Sequence, residues 1–354
     1  MNLRYLTVRQ TPTNELLELL NNNVIGTPGH SMLYQHLNVN EKINKIKEPY
    51  FVTLERAGRI AGTCCFCKRV TSSSKKDFTS FYVRYFSFKD IFRRKSLSVN
   101  PGSRVSVLRK EVNKLLQGEK LNTEPGEKFF HYAYVDTRNE RSAVLCQEFK
   151  FEPVRQYTTI VFSRVFPRRS TSNKIVEVDA ESVQPLLNEF YREFSMVSFE
   201  NQSGKKYYFI ENENGQRVAG VQVNSDEWKI RTLPGYWMNL MANVFSGIPI
   251  LNRLMNKRFR FLTFENVYWM PGSEKFLESL FEHLLARFGV YAAICVVDAE
   301  SKIYQAVKSL QLGLMNTLNK EVRGNVICRF ENFNDSERAV FKNQPAFISG
   351  IDAT

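Results

Sequence analysis

Along this chain, short runs in which apolar and polar residues alternate are followed by runs in which apolar residues recur every three or four positions. The two kinds of run follow one another in the same order twice. Alternation predicts half-buried strands and the three-to-four spacing predicts amphipathic helices. The strand YFVTLER leads into Gly58-Arg59-Ile60-Ala61-Gly62, and YYFIENE leads into Gly215-Gln216-Arg217-Val218-Ala219-Gly220. Each reads as strand, glycine turn, strand. RYFSFKDIF (84–92) then matches RFLTFENVY (260–268) class by class. Pro101-Gly102-Ser103 and Pro271-Gly272-Ser273 follow, each before a helical run, SRVSVLRKEVNKLL and SEKFLESLFEHLL. Ser103 and Ser273 are the expected N-caps. Last in each half comes a strand ending in Val-Asp, FFHYAYVD and YAAICVVD, and a further helix.

Matches in register at each of these places, with length differences confined to loops, predict an internal duplication. Each copy reads as strand, helix, hairpin, strand, Pro-Gly-Ser turn, helix, strand, helix, strand. The implied class is α/β (α+β), with a mixed, mostly antiparallel central sheet flanked by helices in each copy. The expected boundaries are 1–166 for the first copy, a linker at 167–174 (PRRSTSNK) and 175–354 for the second. The second copy carries its insertion at 233–255, an aromatic and apolar stretch broken by Pro, Gly and Asn. It reads as a loop with a short amphipathic helix, a lid or lining for an acceptor cleft, and not as a membrane span.

Composition narrows the class further. With 43% hydrophobic and 24% charged residues in 354, the chain is globular rather than disordered. Its first ten residues hold no apolar h-region, which argues against a secretory signal and for a cytoplasmic protein. Cys64, Cys65 and Cys67 fall in one strand-like run, where only Cys65 and Cys67 share a face. With no CxxC or His-rich partner, the six cysteines read as reduced core residues and no metal is expected. The net charge of +13 suits an anionic ligand. A nucleic-acid partner would rest on that charge alone, and no membrane partner is implied.

The order of elements resembles the GNAT (N-acetyltransferase) superfamily, as a tandem-domain protein with degenerate motifs. Val99-Asn100-Pro101-Gly102-Ser103-Arg104 resembles that family's V-x-P-x-x-R entry to the pyrophosphate loop. Asn139-Glu140-Arg141-Ser142-Ala143-Val144-Leu145-Cys146, running on to Phe149-Lys150-Phe151, resembles its N-x-x-A-x-x-L-Y-x-x-x-G-F stretch. The departures are specific. Val107 and Arg109 stand at the loop's glycine positions in copy one, and Leu277 and Ser279 in copy two, where Glu274 replaces the arginine. Cys146 replaces the family's tyrosine and Lys150 its glycine, while copy two keeps Gly313 but has Leu314 for Phe.

The resemblance implies an acyl-CoA-dependent N-acyltransferase, with acetyl-CoA or another acyl-CoA as co-substrate and an amine as acceptor. The alternative it leaves is a non-catalytic ligand-binding or scaffold protein of the same fold. For CoA, the implied contacts are Gly102, Ser103, Arg104 and Asn139 in copy one and Gly272 and Ser273 in copy two. Arg93 and Arg94 are placed to grip phosphates. For proton transfer they are Glu265 and Asp90 as bases, and Tyr268 and Tyr304 as donors to the leaving thiolate. Class matching sets Glu265 against Lys89 and Asp90 against Asn266. Either copy, or both, remains open as the CoA-binding one.

Overall fold

The computed structural model describes residues 3–26, 28–29, 31–88, 104–170, 173–233, 253–254, 256–318 and 322–353. Asp90, Arg93, Arg94, Gly102 and Ser103, and nearly all of 233–255, lie outside the described residues.

The first half runs β1 (Leu6–Arg9), α1 (Asn14–Asn21), β2 (Leu33–His36), α2 (Val39–Asn44), β3 (Glu48–Arg56), β4 (Arg59–Ser73), β5 (Lys76–Phe88), α3 (Arg104–Leu116), β6 (Phe129–Asp136), α4 (Glu140–Glu148) and β7 (Glu152–Ser163). The second runs β8 (Lys174–Asp179), α5 (Gln184–Phe190), β9 (Lys206–Glu211), β10 (Arg217–Thr232), β11 (Arg258–Trp269), α6 (Phe276–Phe288), β12 (Ala292–Asp298), α7 (Lys302–Lys308), α8 (Leu314–Leu318) and β13 (Val322–Glu331), followed by α9 (Asp335–Asn343) and α10 (Gly350–Ala353). The element order expected from sequence is present in both halves. β2 and α2 are additions to the first, and α9 and α10 follow the second.

The thirteen strands among the described residues belong to one sheet, ordered β1-β3-β4-β5-β6-β13-β7-β12-β11-β10-β9-β8, with β2 pairing β10. Only β5–β6 and β11–β12 are parallel; the other described pairs are antiparallel. The halves exchange their last strands. β13 pairs with β6 from Glu331↔Phe129 to Gly324↔Asp136, and β7 pairs with β12 from Ser163↔Ala292 to Tyr157↔Asp298. Gly324 sits where a Cβ would fall 2.3 Å from the Tyr157 ring, so any larger residue at this crossing would have to displace that ring.

Helices cover the outer face of each half. α6 presents Leu277, Leu280, Phe281, Leu284 and Leu285, all buried, and stops at Gly289 with φ 65°. Burial of each such side chain stabilises by about 1.5–3 kcal/mol. α3 places Leu108, Leu115 and Leu116 against Val52, Leu54 and Phe81 in the same way. The inner face holds one core shared by both halves, in which Phe51, Tyr82 and Phe130 meet Trp228, Phe261, Ile294 and Phe341.

Candidate active site

Each half contains one parallel strand pair that separates part-way along its length. β5 pairs with β6 at Thr79↔Phe129, Ser80↔Phe130, Phe81↔His131 and Tyr82↔Tyr132, and not beyond. β11 pairs with β12 only at Leu262↔Ala293, Thr263↔Ile294 and Phe264↔Cys295. A bulge follows on each. Tyr85 and Phe86 face Cys64 alone, and Asn266 and Val267 face Val221 alone. Tyr85 has φ 55° and Asn266 φ 52°. An extra residue bends and twists the strand, which accounts for the separation from the parallel neighbour. Asn accepts positive φ readily, whereas Tyr there is a strained position.

The bulges correct the repeat alignment. They place Tyr85 opposite Asn266, and therefore Arg84 opposite Glu265. Class matching of 84–92 with 260–268 is five residues out of this register. An odd slip sends side chains to the wrong face.

The second-half slot is filled by the chain itself. Ser195 bridges Ala346, and the Ala346 N–H donates to Asp298 Oδ2 at 2.9 Å. Phe347 packs edge-on against Tyr191 and Phe199, with centroids 5.2 and 5.5 Å away. Gly350 lies so close to β11 that a Cβ would sit 2.6 Å from Thr263 Cγ2. Only a narrow crevice is left, lined by Glu265, Asn266, Asp298, Phe347 and their neighbours.

Glu265 is 5% exposed. Its carboxylate accepts from Ser349 Oγ (2.6 Å), the Ile351 N–H (3.1 Å), Asn224 Nδ2 (3.0 Å) and Gln222 Nε2 (3.5 Å). Burial pushes its pKa up to about 7, against the pull of the Ser349 and Ile351 hydrogen bonds. Tyr268 instead packs on Phe190 and Phe209, and Tyr304 accepts from Lys308 Nζ at 2.6 Å on the surface of α7. Neither lines the crevice beside Glu265.

The expected CoA contacts are placed as follows. Asn139 caps α4, its Oδ1 accepting from the Ser142 N–H at 3.1 Å. Arg104 opens α3. Gly272 has φ 80°, and its N–H donates to Glu274 Oε1 at 3.3 Å, while Trp269 Nε1 donates to the same oxygen at 2.9 Å. Ser273 is not the N-cap expected of it; Lys275 holds that position, without a side-chain cap bond. A carboxylate thus already occupies the turn where a phosphate would need free N–H groups.

Residues that sequence reasoning passed over gather at the first-half slot. Arg69 and Asp352 form a two-point pair, with Nη2 to Oδ1 at 2.9 Å. Tyr82 donates to the Asp352 carbonyl at 2.7 Å, and Arg69 Nη1 reaches Tyr132 Oη at 3.3 Å. Arg84 Nη1 stands 3.6 Å from Asp352 Oδ1. Burial alone would raise the Asp352 pKa, but Arg69 outweighs it and holds the carboxyl below its ordinary range. Lys42 pairs with Asp226 nearby, and Tyr34 stacks on Trp228 at 4.0 Å. The only early signal was two arginines inside apolar strands, in CCFCKRV and FYVRYF.

No protein-family model matches this chain, and no curated protein matches it in sequence. Among solved structures it is similar to Saccharomyces cerevisiae N-myristoyltransferase with bound myristoyl-CoA. The TM-score is 0.60 at 11% identity, over 99% of this chain and 90% of that one. A second structure of that enzyme with bound myristoyl-CoA gives 0.56 at 10%, over 99% and 86%. Among the described residues no group of His, Cys, Asp or Glu suits a metal, and no helix is long and apolar enough to cross a membrane. The exchanged sheet, the paired splays and this full-length likeness give the chain the N-myristoyltransferase fold, two tandem GNAT-like halves.

Proposed function

We propose that the protein is an acyl-CoA-dependent N-acyltransferase that holds its thioester in the splay between β5 and β6. The observation that carries this reading is the inequality of two equivalent slots. Residues 345–350 fill the second one. The first is edged by the half-buried Val83, Tyr85, Ala133 and Tyr134. Acetyl-CoA is the donor that the resemblance to the GNAT superfamily implies. The yeast enzyme with the same fold carries myristoyl-CoA, which makes a long-chain donor the second candidate.

In this reading the amine nitrogen attacks the thioester carbonyl carbon. A C–N bond forms, the C–S bond breaks, the thiolate leaves and the nitrogen loses a proton. The bulge at Tyr85–Phe86 takes backbone groups out of the β4 ladder, and such groups can polarise the thioester carbonyl. Glu265 is proposed as the proton acceptor. It lies in the second slot but is hydrogen-bonded to Ser349 and the Ile351 N–H, beside the Asp352 that faces the first, and burial raises its proton affinity toward neutrality. Ser349 and the Ile351 N–H both donate to Glu265 Oε1 and so tie it to the segment that carries Asp352.

The test is thermal stabilisation by acetyl-CoA and by myristoyl-CoA, each followed by assay of free CoA thiol after an amine is added. A ligand at about 100 times its Kd stabilises by about 2.7 kcal/mol. Absence of any shift with both donors at millimolar concentration overturns the reading. A shift without thiol release from any amine favours the ligand-binding alternative.

A further inference from the structure

We infer that the amine acceptor carries a carboxylate, and that Arg84 is the residue that binds it. This rests on the acyltransferase reading above and adds to it the chemical class of the acceptor.

Arg84 is the last β5 residue before the Tyr85–Phe86 bulge, two positions past the point where parallel pairing with β6 stops. Its guanidinium therefore stands at the splay, where the reacting carbonyl would lie. Its side chain is only 9% exposed. Among the described residues Nε has no hydrogen-bond partner, and the one carboxylate that Arg84 approaches is Asp352, at 3.6 Å. That is too far for a hydrogen bond, and both Asp352 oxygens are already taken by Arg69.

The surrounding charges do not supply a substitute. Lys42 and Asp226 pair with each other. Burial, with Lys42 and Arg84 adding to it, holds His36 neutral. Glu265 is engaged by Ser349, the Ile351 N–H, Asn224 and Gln222. Among the described residues, the two carboxylates beside these cations, Asp352 and Asp226, are already engaged by Arg69 and Lys42. The Tyr85 and Tyr82 rings, 4.4 and 5.8 Å from the Arg84 guanidinium carbon, ease its charge and orient its plane.

A buried charge without a counter-ion is costly, and a guanidinium fork fits a carboxylate at two points. The thioester end of acetyl- or myristoyl-CoA brings no anion, because the CoA phosphates lie at the far end of the pantetheine arm. The anion at the reacting end then belongs to the other substrate. With Arg84 beside the place of the reacting carbonyl, the amine and the carboxylate must lie close together, as they do in an amino acid.

The experiment pairs each common L-amino acid with its carboxamide, using the full chain. CoA release is read with acyl-CoA present, and thermal shift is read with the acceptor alone. A charge-assisted hydrogen bond is worth roughly 10- to 150-fold. The acid is expected to exceed its amide by about that factor in kcat/KM. Arg84→Gln loses the acid and Arg84→Lys recovers part of it. Arg84→Gln is also expected to keep its acyl-CoA shift and to melt no lower than wild type. A purely structural arginine would show the reverse in melting. Equal use of acid and amide overturns the inference, as does an Arg84→Gln defect confined to acyl-CoA binding. A wild type that fails to bind any acyl-CoA overturns the acyltransferase reading instead. The thermal shift of acid against amide then still decides the role of Arg84.

Discussion

Arg69 and Asp352, 283 positions apart in the chain, meet as a two-point ion pair with side chains 8% and 1% exposed. One lies on β4 and the other on α10, so the pair ties the end of the second half to the hairpin of the first. Removing one partner leaves the other charged and buried, at a cost of about 3–5 kcal/mol. Arg69→Met or Asp352→Leu alone is expected to lower stability by that amount in urea unfolding. The double variant is expected to recover most of it. If the single variants unfold like wild type, the pair does not hold the halves together.

Glu265 makes stability depend on pH in a defined direction. Its ordinary pKa of 4.5 is raised to about 7 by burial. Between these values the folded chain binds the proton and the unfolded chain does not. Stability is therefore fullest below pH 4.5 with respect to this group, and falls as pH rises to about 7, by on the order of 3 kcal/mol. Glu265→Gln removes the slope. Melting curves of both proteins from pH 5 to 8 should converge or cross as this predicts. A parallel offset across that range would mean that Glu265 does not titrate there.

Gly350→Ala would force a methyl group against Thr263 Cγ2, at 2.6 Å. The expected loss is about 1–3 kcal/mol, typical of overpacking. Thr263→Ser removes the clashing methyl group and should restore part of the loss in the double variant. Additive losses would show that residues 349–353 do not rest on β11 as described.

Thiol reactivity should follow burial. Burial alone pushes the Cys64 thiol up to about 12, and Cys146, the least buried, to about 11. An aromatic disulfide reagent at pH 8 is expected to titrate no more than Cys146 in the native protein, and all six cysteines after unfolding. Rapid native reaction at Cys64 would contradict the core placement of β4.

Much of the fold was legible because it is written in local patterns. The glycine turns at Gly58 and Gly215, with φ 72° and 75°, and the periodic α6 needed no distant information. The register of β5 against β11 was not legible, because a bulge leaves no mark on hydrophobic class. The strand exchange was hidden for another reason: β7 and β13 read as strands whichever edge they join. The candidate site divides the same way. Glu265 was visible as an acid near the end of an apolar strand. Arg69, Arg84 and Asp352 were not, since their meaning lies in charges brought together from β4, β5 and α10.

The exchange of β7 and β13 also sets an order of events during synthesis. β6 is complete at Asp136, yet the strand that covers its edge ends at Glu331. For nearly two hundred residues of translation that edge has only β5 beside it, and an unpaired edge invites pairing with other chains. The half-made chain thus carries an open strand edge that closes only when the last strand emerges.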